Sequence, residues 1–123
     1  MPSAAYVYTQ PLNLTPLAAS GNSAPISLPP RSQYMNVTFH VKFTLGSLTN
    51  ASFTVQALNP DGSTWANYIA TGTTPVGTGT ISASGNYAFS VNAPGVKQLR
   101  VTYTSTGTVT SSAVVIDATT QAA

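Results

Sequence analysis

From Met35 to Leu45 the chain alternates without a break. Met35, Val37, Phe39, Val41, Phe43 and Leu45 interleave with Asn36, Thr38, His40, Lys42 and Thr44. A period of two sustained over that length puts every apolar side chain on one face of an extended strand, a separation that helical geometry cannot give. The segment therefore predicts a strand with one face on a core and the other in water.

The same pattern recurs more briefly downstream. Phe53, Val55 and Ala57 alternate with Thr54 and Gln56; Tyr87, Phe89 and Val91 with Ala88 and Ser90; Leu99, Val101 and Tyr103 with Gln98, Arg100 and Thr102. Trp65–Ala70 reads as a short strand, Thr71–Thr80 as a loop running into Ile81–Ala83, and Val109–Asp117 as the closing strand. Between them stand turn signals: Asn59-Pro60-Asp61-Gly62, Ser84-Gly85-Asn86, Ala93-Pro94-Gly95 and Thr106-Gly107. There Pro fixes φ and Gly accepts φ > 0. Seven or eight strands punctuated in this way predict an all-β, antiparallel β-sandwich, immunoglobulin-like or jelly-roll in type.

The first third reads differently. Residues 1–33 hold Pro2, Pro11, Pro16, Pro25, Pro29 and Pro30, six of the nine prolines. Proline lacks a backbone donor, so this stretch cannot supply a central strand. It is expected to be an extended N-terminal arm, with one short edge strand near Tyr6–Leu14, lying on its own domain or on a neighbour. Residues 34–123 are then the sandwich domain.

Composition narrows the function classes. Of 123 residues, 42% are apolar, enough for one modest core, but only 5% are charged against roughly 25% in an ordinary soluble domain. Ser and Thr, 33 in all, must cover the surface. Arg31, Lys42, Lys97 and Arg100 against Asp61 and Asp117 leave a net charge of +2. Nucleic-acid binding needs clustered cations to displace counterions from phosphate, and only Lys97 and Arg100 lie close together, so no nucleic-acid partner is expected. A near-neutral surface lets identical copies pack densely. There is no cysteine, hence no disulfide or thiolate chemistry. No run approaches the length of a membrane span, and the N-terminus lacks the basic and apolar regions of a signal peptide. A soluble chain made, unless processed, in a cytoplasm is expected, with no membrane partner.

Residues that move protons are scarce. His40 is the only histidine and falls on the polar face of the strongest strand. A Ser–His–Asp triad can be written with Asp61 or Asp117, yet no nucleophile-elbow motif accompanies it. Asp61 and Asp117 would have to converge for paired-carboxylate chemistry, and both read as turn or strand-end residues. Val76-Gly77-Thr78-Gly79 lacks the lysine and the remaining glycine of a phosphate loop. No catalytic residue, metal ligand or cofactor is expected, and the chain reads as no enzyme.

The aromatic residues suggest contacts instead. Tyr6, Tyr8 and Tyr34 flank or lie in the arm, and tyrosine offers large contact area at small entropic cost. With Arg31 they are the candidate contacts to another subunit, packing within the chain being the equal alternative for the tyrosines. Trp65 and Tyr68 have two readings: a stacking platform for a sugar, or, the more natural for a sandwich, Trp65 as the large core side chain.

Three segments carry a family resemblance: Asn59-Pro-Asp-Gly-Ser-Thr-Trp65, Ser84-Gly-Asn-Tyr-Ala-Phe-Ser-Val91, and Val96 to Thr108 with its Leu-Arg-Val strand and Ser-Thr-Gly-Thr hairpin. Over roughly residues 53–117 the chain resembles small β-sandwich virion proteins of tailed bacteriophages, the capsid decoration (cement) type and tail-associated modules. The resemblance implies a non-enzymatic virion structural protein, assembled in the host cytoplasm. It would bridge neighbouring subunits of the major capsid protein, with Tyr6, Tyr8, Arg31 and Tyr34 as candidate contacts to the capsid, and form a homo-oligomer, a trimer at a symmetry point. The alternatives are a carbohydrate- or host-receptor-binding module, or a tail or baseplate component.

Overall fold

The computed structural model describes residues 6–28, 35–92 and 95–122, with side chains over slightly fewer. Among them lie ten strands and no helix: β1 (Tyr6–Leu14), β2 (Ser20–Asn22), β3 (Ile26–Ser27), β4 (Met35–Thr44), β5 (Leu48–Leu58), β6 (Trp65–Asn67), β7 (Gly77–Ile81), β8 (Gly85–Asn92), β9 (Gln98–Gly107) and β10 (Ala113–Ala122). All pairings are antiparallel. They form two sheets: β1-β10-β4-β8, and a second in which β9 and β5 are central, flanked by β2 and β3 on one side and β6 and β7 on the other.

That order settles the sandwich subtype. The chain pairs β1 with β10, β2 and β3 with β9, β4 with β8, and β5 with β6 and β7. It is thus one long antiparallel ribbon folded back on itself at the β5–β7 end. Rolling the ribbon brings β10 beside β4 and β9 beside β5, the two remaining pairings. This is the jelly-roll arrangement of a double-sheet sandwich. Ten strands occupy eight ribbon positions because two of the outer positions are each split in two.

The alternation in the sequence sorts side chains between core and solvent. Val37, Phe39, Val41 and Phe43 of β4 and Val114, Ile116 and Ala118 of β10 face Leu48, Ala51, Phe53 and Val55 of β5 and Leu99, Val101 and Tyr103 of β9, all buried. Phe53 meets Phe43 edge-on at 5.7 Å between ring centroids and Tyr103 at 5.9 Å, so one ring joins both sheets. The outward residues Asn36, His40, Lys42 and Thr44 are exposed. The strict alternation of β4 is thus the imprint of a strand between two partners with one wet face.

Residues 6–28 of the Pro-rich segment run along the sandwich as β1–β3. β1 is the edge of the first sheet and carries Pro11 at a register shift between Thr9 and Leu12, where a ladder donor is dispensable. Its continuation is tied to the β9–β10 connection and to the second sheet by hydroxyls. The Ser112 hydroxyl accepts the Leu17 N–H at 3.0 Å and donates to the Val109 carbonyl. Ser23 exchanges bonds with Val101, its N–H donating to the carbonyl and its hydroxyl accepting the N–H at 2.9 Å. Arg31, Tyr34 and the first five residues lie outside the described residues.

Several boundaries differ from the sequence reading: β6 stops at Asn67 rather than Ala70, and β7 ends at Ile81 rather than Ala83. β7 starts at Gly77, inside the segment expected to be a loop, because Gly77 sits against the Phe53 carbonyl where no Cβ would fit. β10 starts at Ala113 rather than Val109, since Ser112 turns back to bond Val109. It runs on past Asp117 to Ala122, with Ala118 and Thr120 buried. Small and polar side chains at those positions hid the inward face.

Candidate interaction surfaces

Most of the described polar chemistry sits on the outer faces of the two sheets. On the first sheet, β10 sets Asp117 opposite His40 of β4, and Thr119 opposite both Thr38 of β4 and Tyr8 of β1. The Tyr8 hydroxyl donates to Asp117 Oδ1 at 2.6 Å, and Gln10 Nε2 donates to the same oxygen at 3.0 Å. Asn13 Nδ2 extends the chain of bonds to Gln10 Oε1 at 3.3 Å. The bonds from Tyr8 and Gln10, with the nearby charges of His40 and Lys42, hold the Asp117 carboxyl below the usual carboxylate range. The same bond to Asp117 raises the Tyr8 phenol above its ordinary value, because its proton is held by the carboxylate. Tyr8 is therefore pinned at its hydroxyl and still 63% exposed.

On the second sheet, Arg100 of β9 stacks on Trp65 of β6, its guanidinium carbon 4.3 Å from the ring centroid. Arg100 Nε donates to Gln56 Oε1 at 2.9 Å, and Gln56 Nε2 donates to Asn67 Oδ1 at 3.2 Å. This lane across β9, β5 and β6 follows the register Arg100–Gln56–Asn67. Partial burial pulls the Arg100 pKa down. The turn before Trp65 is closed by Asp61: its Oδ1 accepts the Ser63 and Thr64 N–H groups at 2.9 and 3.0 Å, and its Oδ2 accepts the Thr64 hydroxyl at 2.5 Å. Those bonds, the Thr64 hydroxyl first, lower the Asp61 pKa. Gly62 supplies the positive φ of 79° the turn requires.

The expected site residues fall apart accordingly. Tyr8 is exposed on β1; Tyr6 opens that strand opposite Gln121, with its side chain outside the described set. Trp65 is not the core side chain of this sandwich, since it lies half-buried on the outer face under Arg100. Tyr68 sits three positions on, with opposite parity, and packs against the core while its hydroxyl donates to the Asn92 carbonyl at 2.8 Å. The two thus do not share a platform. Sequence reasoning missed Arg100 as the partner of Trp65; the signal was the outward position of Arg100 in Leu99–Tyr103, legible only once β6 and β9 are known to flank β5.

Asp61 belongs to a turn of the second sheet and Asp117 to the outer face of the first, so the two carboxylates do not converge. Among the described residues no group of three His, Asp or Glu side chains is placed to hold a metal ion. A hollow of about 250 Å³ opens where the β1 bulge meets the β2–β3 connection and is lined by Thr9, Gln10, Pro11, Pro25, Ile26 and Thr120 among others. Among the described residues no helix is long and apolar enough to cross a membrane. No family model and no curated protein matches the chain.

Proposed function

We propose that the chain is a non-enzymatic virion structural protein of a tailed phage, a capsid decoration protein that stabilises the shell by bridging subunits of the major capsid protein. The observation that carries this reading is the jelly roll with nearly uncharged outer faces. Double-sheet jelly rolls recur in capsid and lectin domains, which makes the link one of fold-level analogy. The side chains add a physical argument. Asp117, Arg100 and Asp61 each bond neighbours within the sheets and turns, and with only six charged residues in the chain the rest of the surface falls to uncharged polar side chains, Ser and Thr foremost. Such faces suit dense lattices because neighbouring copies repel one another weakly. Pinned and exposed, Tyr8 offers contact area whose rotamer entropy is already spent.

Co-sedimentation with emptied capsids, taken from the phage that encodes the chain, tests this reading. Binding at a fixed ratio to the major capsid protein, weakened by Tyr8→Ala without loss of fold, supports it. A chain that stays in the supernatant refutes it.

A second reading, a glycan-binding module, is favoured by one observation: Trp65 is on the surface rather than in the core. A sugar would displace or share Arg100 on the indole. Trp65→Ala would then abolish retention on a glycan array while the fold persists.

A further inference from the structure

A jelly roll leaves four sheet edges, and three of them here are blunted. β1 carries Pro11 and a register shift. β2 and β3 are short and separated by Ser23–Pro25. β6 is short, and β7 has a register shift between Phe53 and Thr54. β8 has none of these protections. It runs from Gly85 to Asn92 with no proline and no charged residue, in unbroken register with β4 from Asn36–Asn92 to Phe43–Gly85. Among the described residues no strand pairs with its other side. A long, regular, uncharged edge is a template for another strand.

Which backbone groups face outward follows from two bonds. The Asn92 carbonyl accepts the Tyr68 hydroxyl, so it points away from β4. The Thr38 and Ser90 hydroxyls lie 2.9 Å apart, the close approach expected of a pair that does not exchange backbone bonds. By the two-residue alternation the N–H and C=O groups of Asn86, Ala88 and Ser90 face outward. On the inner side of the same strand Tyr87 and Phe89 are only half-buried. Ile69, next in the chain to Tyr68, is 45% exposed.

We propose that β8 is a homodimer edge: β8 of a second copy adds antiparallel to it, on a two-fold axis through Ala88. Ala88 then faces Ala88 of the other copy, and Asn86 faces Ser90 in both directions. All outward backbone groups of these three residues are satisfied, in about six inter-strand bonds. Tyr87 falls opposite Phe89 on the apolar side, and no charge opposes a like charge. The small Ala88 side chain leaves the axis open. The occupant is a copy of this chain because the edge is its own complement in this register. It is a two-fold pair, not the trimer that the family resemblance implies, because only one edge is clean: head-to-tail edge pairing, as a ring would need, has no second unblunted edge to use. The two first sheets become one continuous sheet across the axis.

Sedimentation and a single introduced cysteine test this directly. The chain has no cysteine of its own. Across the axis the Ala88 Cα atoms would stand about 5.5 Å apart, inside the range a disulfide spans. Ala88→Cys should form disulfide-linked dimers on mild oxidation, whereas Ala66→Cys, also exposed but on β6, should not. The unmodified chain should show a monomer–dimer equilibrium with no larger species. Ala88→Pro removes an N–H that β4 does not use, so it should leave the fold and its thermal transition in place and abolish the dimer. Ala88→Lys, placing two ammonium groups across the axis, should do the same and recover partly in high salt. A chain that is monomeric at all concentrations, equal cross-linking of both cysteine variants, or open-ended oligomers would each overturn the proposal. Capsid binding is a separate readout and does not bear on this outcome.

Discussion

Phe53→Ala should be the most damaging single truncation in the core, and its cost follows from position. Phe53 is fully buried at the middle of β5, a strand paired along both sides. Its ring touches Phe43 of the opposite sheet and Tyr103 of the neighbouring strand. Truncating a buried Phe to Ala costs about 3–5 kcal/mol, the sum of lost transfer free energy and the cavity left behind. Here both ring neighbours are themselves buried and belong to central strands, so the gap cannot close by moving a loop. The two ring pairs are worth roughly 0.5–1.5 kcal/mol each beyond buried area. The upper part of the range is therefore expected, about 4 kcal/mol. With a urea m-value of about 2 kcal/mol/M for a chain of this size, the midpoint should fall by about 2 M. Phe89→Ala, on the half-buried edge strand, should cost less than half as much. Equilibrium urea unfolding followed by tyrosine and tryptophan fluorescence measures both. A Phe53→Ala cost below about 1.5 kcal/mol, or one equal to Phe89→Ala, would refute the assignment of Phe53 as the pin between sheets.

Other consequences are as specific. Ser112→Ala should destabilise by about 1–3 kcal/mol, because the Leu17 N–H is left buried without its acceptor; thermal unfolding reads it, and no change would detach residues 15–19 from the sandwich. Gly46→Ala should cost about 2 kcal/mol or more, since the residue has φ of 56° and a Cβ would collide with the Ser111 backbone. The Asp117 carboxyl has a folded pKa below its unfolded one, so its stabilising contribution is full above about pH 4 and is lost as pH falls through the folded value. Asp117→Asn should flatten that acid limb, and in NMR titration Tyr8→Phe should move the Asp117 pKa back up. A titration unaffected by Tyr8→Phe would break the proposed pairing.

How far the fold could be read from sequence depended on how many neighbours each strand has. β4, β5 and β9 are flanked on both sides and face the core with one side only, so their alternation was plain. β2, β3, β6 and β7 are short edge pieces with small residues such as Gly77 and Gly79, and their pairing depends on contacts remote in sequence. The jelly-roll order was beyond reach for the same reason: the link of Tyr6 to Gln121 closes the ribbon across nearly the whole chain. At the surface, Tyr8 could be named from its type, but its anchor Asp117 could not. Trp65 was drawn toward the core by a general expectation about sandwiches. The outward parity it shares with Asn67 and its place under Arg100 put it at the surface.

The claim that the chain cements a shell is tested most directly by the heat stability of emptied capsids with and without it. A ligand that binds only the assembled lattice stabilises that lattice by mass action, about 2.7 kcal/mol per site at a free concentration one hundred times the dissociation constant. Added chain should therefore raise the disassembly temperature, saturating at the stoichiometry seen in sedimentation. An unchanged disassembly temperature at saturating occupancy would contradict the cementing role.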